Sequence, residues 1–506
     1  MKKLYLLSFI LIITMLFTSC GGYGSTNKDL DLNYGGIVSE SYNKITENDQ
    51  SLTKEVSTVT LSLKVSTAAY SNVKRIIEQG NVPPRDAVRT EEMINYFKYE
   101  GETEKTDSPF FIHSEMGPSP FDTNKRMAFI RIKTEEIEMD KIPPCNFTFL
   151  IDTSGSMSSY DKLPLLQDSF KLLIDTLDEN DTISIVTYAG NSEVLLDGVS
   201  GKNKKEIIAA IDSLEAGGST AGAQGIQTAY SLAERNFNEN GNNRIILASD
   251  GDFNVGISDV DQLKEFISEK KDSGIYLSVL GFGTGNLRDD VMETLASNGN
   301  GNHSYIDCID TANKVLITEM SANLFTVAND VKAQIEFNKD TVKSHRLIGY
   351  ENSVMENEDF KNDKKDAGEM GAGSDIVVMF ELELTEAGLK NIKEPDSSQD
   401  NFYSINIAYK DPAKEGENLD DIKSKTISMD ITAKNYSDEP STDYNFACAV
   451  AGFAHILRGS LNSGDVTTKS IIELAQTNLG KDEDEYRLDF LFLVREYQKM
   501  EKSANH

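Results

Sequence analysis

The sequence predicts an α/β fold: a doubly wound, mostly parallel sheet with a flanking antiparallel β unit and helices near both ends. Three observations carry the prediction. Between residues 146 and 324, short apolar runs alternate with helical stretches, as in a parallel sheet covered on both faces. Outside that region, several segments alternate apolar and polar residues with a period of two. Near the end, Phe446, Val450, Phe453 and Leu457, then Tyr486, Phe490, Leu493 and Tyr497, recur at helical spacing, as core-facing stripes do. A chain of 506 residues is about three times a ~150-residue domain prior, so two or three domains are expected.

The first residues read as an address. Lys2 and Lys3 precede an apolar run from Leu4 to Phe17, and Thr18-Ser19-Cys20 closes it. The run is shorter than the ~20 residues a spanning helix needs, and residues 1–19 fit an export signal. The small-small-Cys ending resembles a bacterial lipobox. That resemblance implies lipidation of Cys20 and a chain held at the cell envelope, outside the cytoplasm. An ordinary secretory signal or an uncleaved anchor gives the same side of the membrane. Residues 20–56 are rich in Gly, Ser, Asn and Asp without a sustained apolar period and read as a flexible tether.

Residues 57–143 read as two short helices within 67–99, broken at Gly80 and Pro83-Pro84, followed by strands across 108–135. The α/β domain is expected over 144–326. Its strands fall at 147–151, 182–188, 244–248, 275–280 and 303–306, with 193–199 as an antiparallel edge. Its helices fall at 162–177, 204–214, 221–237, 260–271, 287–296 and 310–324. A β-rich domain over 327–435 follows, with strands at 330–337, 375–384, 402–409 and 425–431, and then a helical region over 436–506. The α/β domain would thus be an insertion between β segments. Cys145, Cys308 and Cys448 are far apart and form no CxxC. They read as buried small hydrophobes, with a single disulfide among them as the other reading.

Charge narrows the function. Acidic residues number 82 against 50 Lys and Arg, a formal charge of −32. Such a field repels phosphate backbones and excludes non-specific nucleic-acid binding. The five histidines, His113, His303, His345, His455 and His506, are too scattered for a His-rich zinc site. His303, on a short strand, reads as a core or rim side chain.

Three loops of the α/β region carry oxygen ligands: Asp152-Thr-Ser154-Gly-Ser156, Gly217-Gly-Ser-Thr220-Ala-Gly222 and Ser249-Asp250-Gly-Asp252. Carboxylates and hydroxyls without Cys or His are hard donors, suited to Mg²⁺, Mn²⁺ or Ca²⁺. Asp152, Ser154 and Ser156 alternate, so an extended turn presents all three on one side. Two carboxylates and three neutral hydroxyls leave a divalent ion near neutral and short of an octahedron. A partner's carboxylate could complete the shell.

These loops resemble the metal-ion-dependent adhesion site of the von Willebrand factor type A domain. The family's D-x-S-x-S, distant Thr and distant Asp fall on Asp152, Ser154, Ser156, Thr220 and Asp250. The resemblance implies hydroxyl ligation by Ser154, Ser156 and Thr220, with Asp152 and Asp250 acting directly or through water. Residues 67–77, 83–97, 345–352, 366–373 and the helical end from Asn445 also look like segments of bacterial lipoproteins carrying such a domain. Together the likeness spans about residues 57–500.

The resulting expectation is a membrane-tethered, extracytoplasmic binding protein that captures a partner's Asp or Glu through a divalent cation. A structural or assembly component of an envelope complex, with a metal-stabilised domain, is the alternative. A metal-dependent hydrolase using Asp152 and Asp250 lacks a paired general base, a G-x-S-x-G elbow and a phosphate loop in this sequence. No enzymatic activity is therefore expected. The run Gly281-Phe-Gly-Thr-Gly285 reads as a tight strand-to-helix connection rather than a dinucleotide loop. The acidic run 356–366 reads as a solvated loop rather than a calcium site.

Overall fold

The computed structural model describes residues 40–504, apart from 65, 102–103, 107, 138–142, 220–221, 240, 252–259, 272, 320–321, 323–324, 395–400 and 413–420. The segment expected to be an export signal, Cys20, Thr220 and Asp252 lie outside the described residues. Among those described, no helix is long and apolar enough to cross a membrane.

The central sheet has six strands in the order His303–Ile306, Ile275–Phe282, Asn242–Ser249, Cys145–Asp152, Thr182–Tyr188 and Ser192–Ser200. The first five are parallel and the last is an antiparallel edge. Every residue of Cys145–Asp152 is buried, because helices cover both faces. Phe147, Phe149 and Ile151 enter one core with Phe170 and Leu173 of the helix Leu163–Thr176. Leu150, pointing the other way, meets Ile226 and Ala229 of the helix Gly222–Arg235. Alternate side chains thus serve opposite cores, each contributing about 1.5–3 kcal/mol on burial.

Two antiparallel sheets face each other beside this unit. One runs Ser51–Leu52, Val342–Ile348, Asp375–Leu384, Arg126–Thr134, Phe110–Pro118 and Glu104–Lys105. The other runs Val354–Met355, Thr58–Ser62, Thr326–Phe337, Tyr403–Lys410 and Lys425–Ile431, with Gly368–Gly371 also paired to Thr326–Phe337. Ile112, Ile130 and Phe380 of the first pack on Ile335, Tyr403 and Ile405 of the second. The strands come from both sides of the α/β segment, which leaves the sandwich after Arg126–Thr134 and returns at Thr326–Phe337. The outer face of the first sheet, at Met127, Phe129, Val377 and Met379, is covered by helices from both ends of the chain. These are Ala68–Glu78 and Thr90–Asn95 from the start, and Thr442–Arg458, Thr468–Thr477 and Tyr486–Ala504 from the end.

Three expectations need correction. Residues 40–56 are not a free tether. Glu40 accepts from Arg75 Nη2 at 2.8 Å, Ser41 N donates to Leu287 O at 3.0 Å, and Ser51–Leu52 pairs with Val342–Ile348. This segment is held by hydrogen bonds rather than apolar burial, so it lacks a hydrophobic period. The last helix of the α/β unit is not one continuous α-helix over 310–324: Ile309–Asn313 is α-helical and Lys314–Thr318 is a π-turn. Buried Lys314 Nζ sits 4.7 Å from the Tyr96 ring and 5.1 Å from that of Tyr486. Cys145 and Cys448 are buried as expected, but Cys308 is half-buried; all three are free thiols.

Candidate metal centre

The site lies at the carboxyl ends of two neighbouring strands, where sheets of this kind leave a crevice. Ile151 pairs with Ala248, which sets Asp152 level with Ser249. Ser249 Oγ donates to Asp152 Oδ2 at 2.9 Å, and the backbone N–H of Ser154 donates to Oδ1 at 2.9 Å. Asp152 and Asp250 are both fully buried. Burial, with the neighbouring Asp250 charge adding to it, pushes the Asp152 carboxyl up to about 6. Burial also works against ionisation of Asp250. There, hydrogen bonds and charge from Lys162, together with bonds from Ser156 and Asn286, prevail and hold the carboxyl below its ordinary value.

The hydroxyls converge on the same point. Ser154 Oγ and Ser156 Oγ are 2.9 Å apart, and Ser156 also reaches Asp250. Ser154 is buried, while Ser156 is half-buried beside exposed Gly155, so the cluster opens to solvent at this edge. The second loop is laced to the first: Gly155 N donates to Gly218 O at 3.1 Å, and Gly217 N to Thr153 O at 2.8 Å. That brings the chain to Ser219, one residue short of Thr220. Gly251 turns at φ +89°, and a Cβ there would stand 2.5 Å from Arg288 N. The turn after Asp250 therefore needs glycine.

Of the five expected ligands, the structure brings together Asp152, Ser154, Ser156 and Asp250. Among the described residues, no group of three or more His, Cys, Asp or Glu could hold a metal. An ion here must lean on hydroxyls. The donor set fits a hard divalent cation: two neighbouring carboxylates, one with a raised pKa that a cation would lower, beside two hydroxyls within contact of each other.

Sequence reasoning missed two neighbours, Lys162 and Asn286, and gave Ser249, quoted with its loop, no separate role. Lys162 Nζ donates to Asp250 Oδ2 at 2.8 Å, Asn286 Nδ2 donates to the same oxygen at 3.1 Å, and Ser249 holds Asp152. Asn286 comes from the turn after Gly281-Phe-Gly-Thr-Gly285, which is a tight connection with Gly283 at φ +76° and Gly285 at φ +95°. No spacing signal links residues 36 to 124 positions apart; only strand order brings them together.

Comparison with known proteins agrees with this architecture. Family models match in three places: von Willebrand factor over residues 37–128, von Willebrand factor type A domain over 146–316, and Uncharacterized protein YfbK, C-terminal, over 322–500. The chain is 41% identical over 452 residues to the Uncharacterized protein YfbK of Escherichia coli (strain K12), covering 86% of this chain and 77% of that protein. It is 25% identical over 286 residues to the human (Homo sapiens) Inter-alpha-trypsin inhibitor heavy chain H3, covering 53% of this chain and 32% of that one. A solved structure, von Willebrand factor type A from Catenulispora acidiphila, aligns at 14% identity with a TM-score of 0.43, covering 76% of this chain and 89% of that one. The chain belongs to the family of the Escherichia coli protein YfbK, bacterial proteins built around a von Willebrand factor type A domain.

Proposed function

We propose that this protein is a binding module that captures an acidic side chain of a protein partner through a divalent cation, Mg²⁺ in the first place and Mn²⁺ or Ca²⁺ otherwise. Type A domains commonly mediate protein interaction and commonly hold a divalent metal at this position. One observation carries the reading here: two fully buried carboxylates on adjacent strand ends share a solvent-facing corner with two hydroxyls. Lys162 compensates Asp250, but Asp152 is buried with its carboxyl raised to about 6 and, among the described residues, no cation of its own, and a bound divalent ion would offset that cost.

Asp152, Ser154, Ser156 and Asp250 would hold the ion, joined by Thr220 as the family resemblance implies. The bound ion would supply an electrophilic position for an incoming carboxylate. The chain's own residues prepare that position. Ser249 and the Ser154 N–H fix both oxygens of Asp152, and Asn286 and Lys162 fix one oxygen of Asp250. The chain is proposed to act outside the cytoplasm, anchored through lipid on Cys20.

Affinity capture from native envelopes, run in Mg²⁺ and in EDTA with Asp250→Ala as control, tests this. Partners should be retained in Mg²⁺ and lost in EDTA and in the variant; equal recovery in all three overturns metal-dependent capture. Radiolabelled fatty acid should enter the wild type but not Cys20→Ser, and equal labelling removes the anchor.

A further inference from the structure

We propose that Lys162 is a built-in counter-cation that weakens the site's hold on its metal, and so tips the site from storing an ion toward presenting it to a ligand. The inference rests on the metal reading above and deepens it.

Lys162 is 6% exposed, an unusual place for an ammonium unless it is paired. Its Nζ donates to Asp250 Oδ2 at 2.8 Å and to Asn286 Oδ1 at 2.9 Å. Asn286 Nδ2 donates back to that same carboxylate oxygen at 3.1 Å. The three side chains close a ring, with the ammonium fixed by geometry rather than by charge alone. The aliphatic stem reaches the ring by crossing Gly283, where a Cβ would lie 2.2 Å from Lys162 Cγ. A glycine in the connection after the strand Ile275–Phe282 is what lets the lysine through. That gives the Gly281–Gly285 run a role which its sequence alone does not disclose.

Charge arithmetic then assigns the effect. Asp152 and Asp250 alone sum to −2, which a divalent ion would neutralise. With Lys162 the buried set is −2 + 1 = −1, and a divalent ion leaves +1. Two consequences follow among these buried side chains, where charges act strongly. The ammonium satisfies Asp250 without metal, so the loops keep their shape when the ion leaves. It also repels the ion and leaves the occupied site net positive, which favours an anionic ligand. Tight storage and ligand capture are opposing demands, and Lys162 favours capture.

The experiment is calorimetric titration of Mg²⁺ alone into the purified full chain. Site-specific uptake is defined as the part lost in Asp152→Asn. Lys162→Met keeps the stem and removes the charge. Lys162→Gln also keeps an N–H donor for Asp250 and stands in if the methionine variant does not fold. The expected result is a Mg²⁺ dissociation constant lower by on the order of tenfold or more, a lower melting temperature without metal, and a larger Mg²⁺-induced rise in melting temperature. Lys162→Arg should restore wild-type affinity. Unchanged or weaker Mg²⁺ uptake in both neutral variants, with wild-type uptake intact, overturns the inference and leaves a merely structural lysine. Absence of site-specific uptake in the wild type overturns the metal reading itself, and this inference with it.

Discussion

His303 shows how far a single side chain can depart from its ordinary chemistry. It is fully buried, and among the described residues neither ring nitrogen has a hydrogen-bond partner, although Nδ1 lies 3.8 Å from Asp289 Oδ1. Burial, aided by the Arg89 charge and opposed by Asp289, lowers its pKa to about 4. The unfolded chain takes up a proton near pH 6.5, whereas the folded chain does so only near 4. Stability is therefore complete above the unfolded value and falls as the pH drops from about 6.5 toward 4. Between pH 7.5 and 5.0 this residue should account for about 2 kcal/mol of lost stability. His303→Gln, similar in volume and uncharged throughout, should flatten urea-unfolding free energies over that range by this amount. Parallel slopes for the two proteins would remove His303 as the source.

Among the elements, the helix Tyr486–Ala504 illustrates what apolar spacing can and cannot reveal. Phe490 is fully buried, with ring centroids 5.7 Å from Phe97, 5.5 Å from Phe446 and 5.7 Å from Phe453. Phe492, two residues on, is about half exposed. Phe490→Ala should cost about 3–5 kcal/mol, and Phe492→Ala about 0.5 kcal/mol or less. Equal losses in thermal or urea unfolding would contradict the packing described. The stripe containing Phe490 was legible because one helix face meets one core. The strands of the central sheet were legible because burial on both faces turns them into continuous apolar runs, as in Phe147–Ile151. Ser51–Leu52 and Thr58–Ser62 were not. Each is short, and each is fixed by a distant partner strand, Val342–Ile348 and Thr326–Phe337 respectively. In the site, Asp152, Ser154, Ser156 and Asp250 were readable because the chemistry restricts which residue types can serve. Lys162 and Asn286 were not, because a pair made across strand ends leaves no spacing in the sequence.

For the whole molecule, the excess of acid dictates how the layers are joined. A chain with formal charge −32 places several of its arginines at buried seams, each against carboxylates. Arg75 meets Glu40, Arg131 meets Asp375, Arg458 meets Glu351, and Arg487 meets Asp443. Arg89 makes the most consequential of these junctions. From the start of the helix Thr90–Asn95 it binds Glu92 at 2.6 Å and reaches Asp289 of the α/β unit at 2.5 Å. Glu92 in turn accepts from Ala69 N at 2.9 Å, which draws the helix Ala68–Glu78 into the same cluster. One guanidinium thus bridges two carboxylates across the seam between the terminal helices and the α/β unit, holding Asp289 below its ordinary value while burial pushes Glu92 up to about 7, and all three side chains are almost fully buried. Net stability from such a cluster is small, because desolvation offsets the attraction, but breaking it strands charges. Arg89→Met should therefore cost about 3–5 kcal/mol, close to a whole-domain margin of about 5–15 kcal/mol. Adding Glu92→Gln and Asp289→Asn removes the stranded charges and should recover most of that loss in thermal unfolding. If the triple variant unfolds as early as Arg89→Met alone, the arginine acts through packing, and charge compensation is not what joins these two parts of the protein.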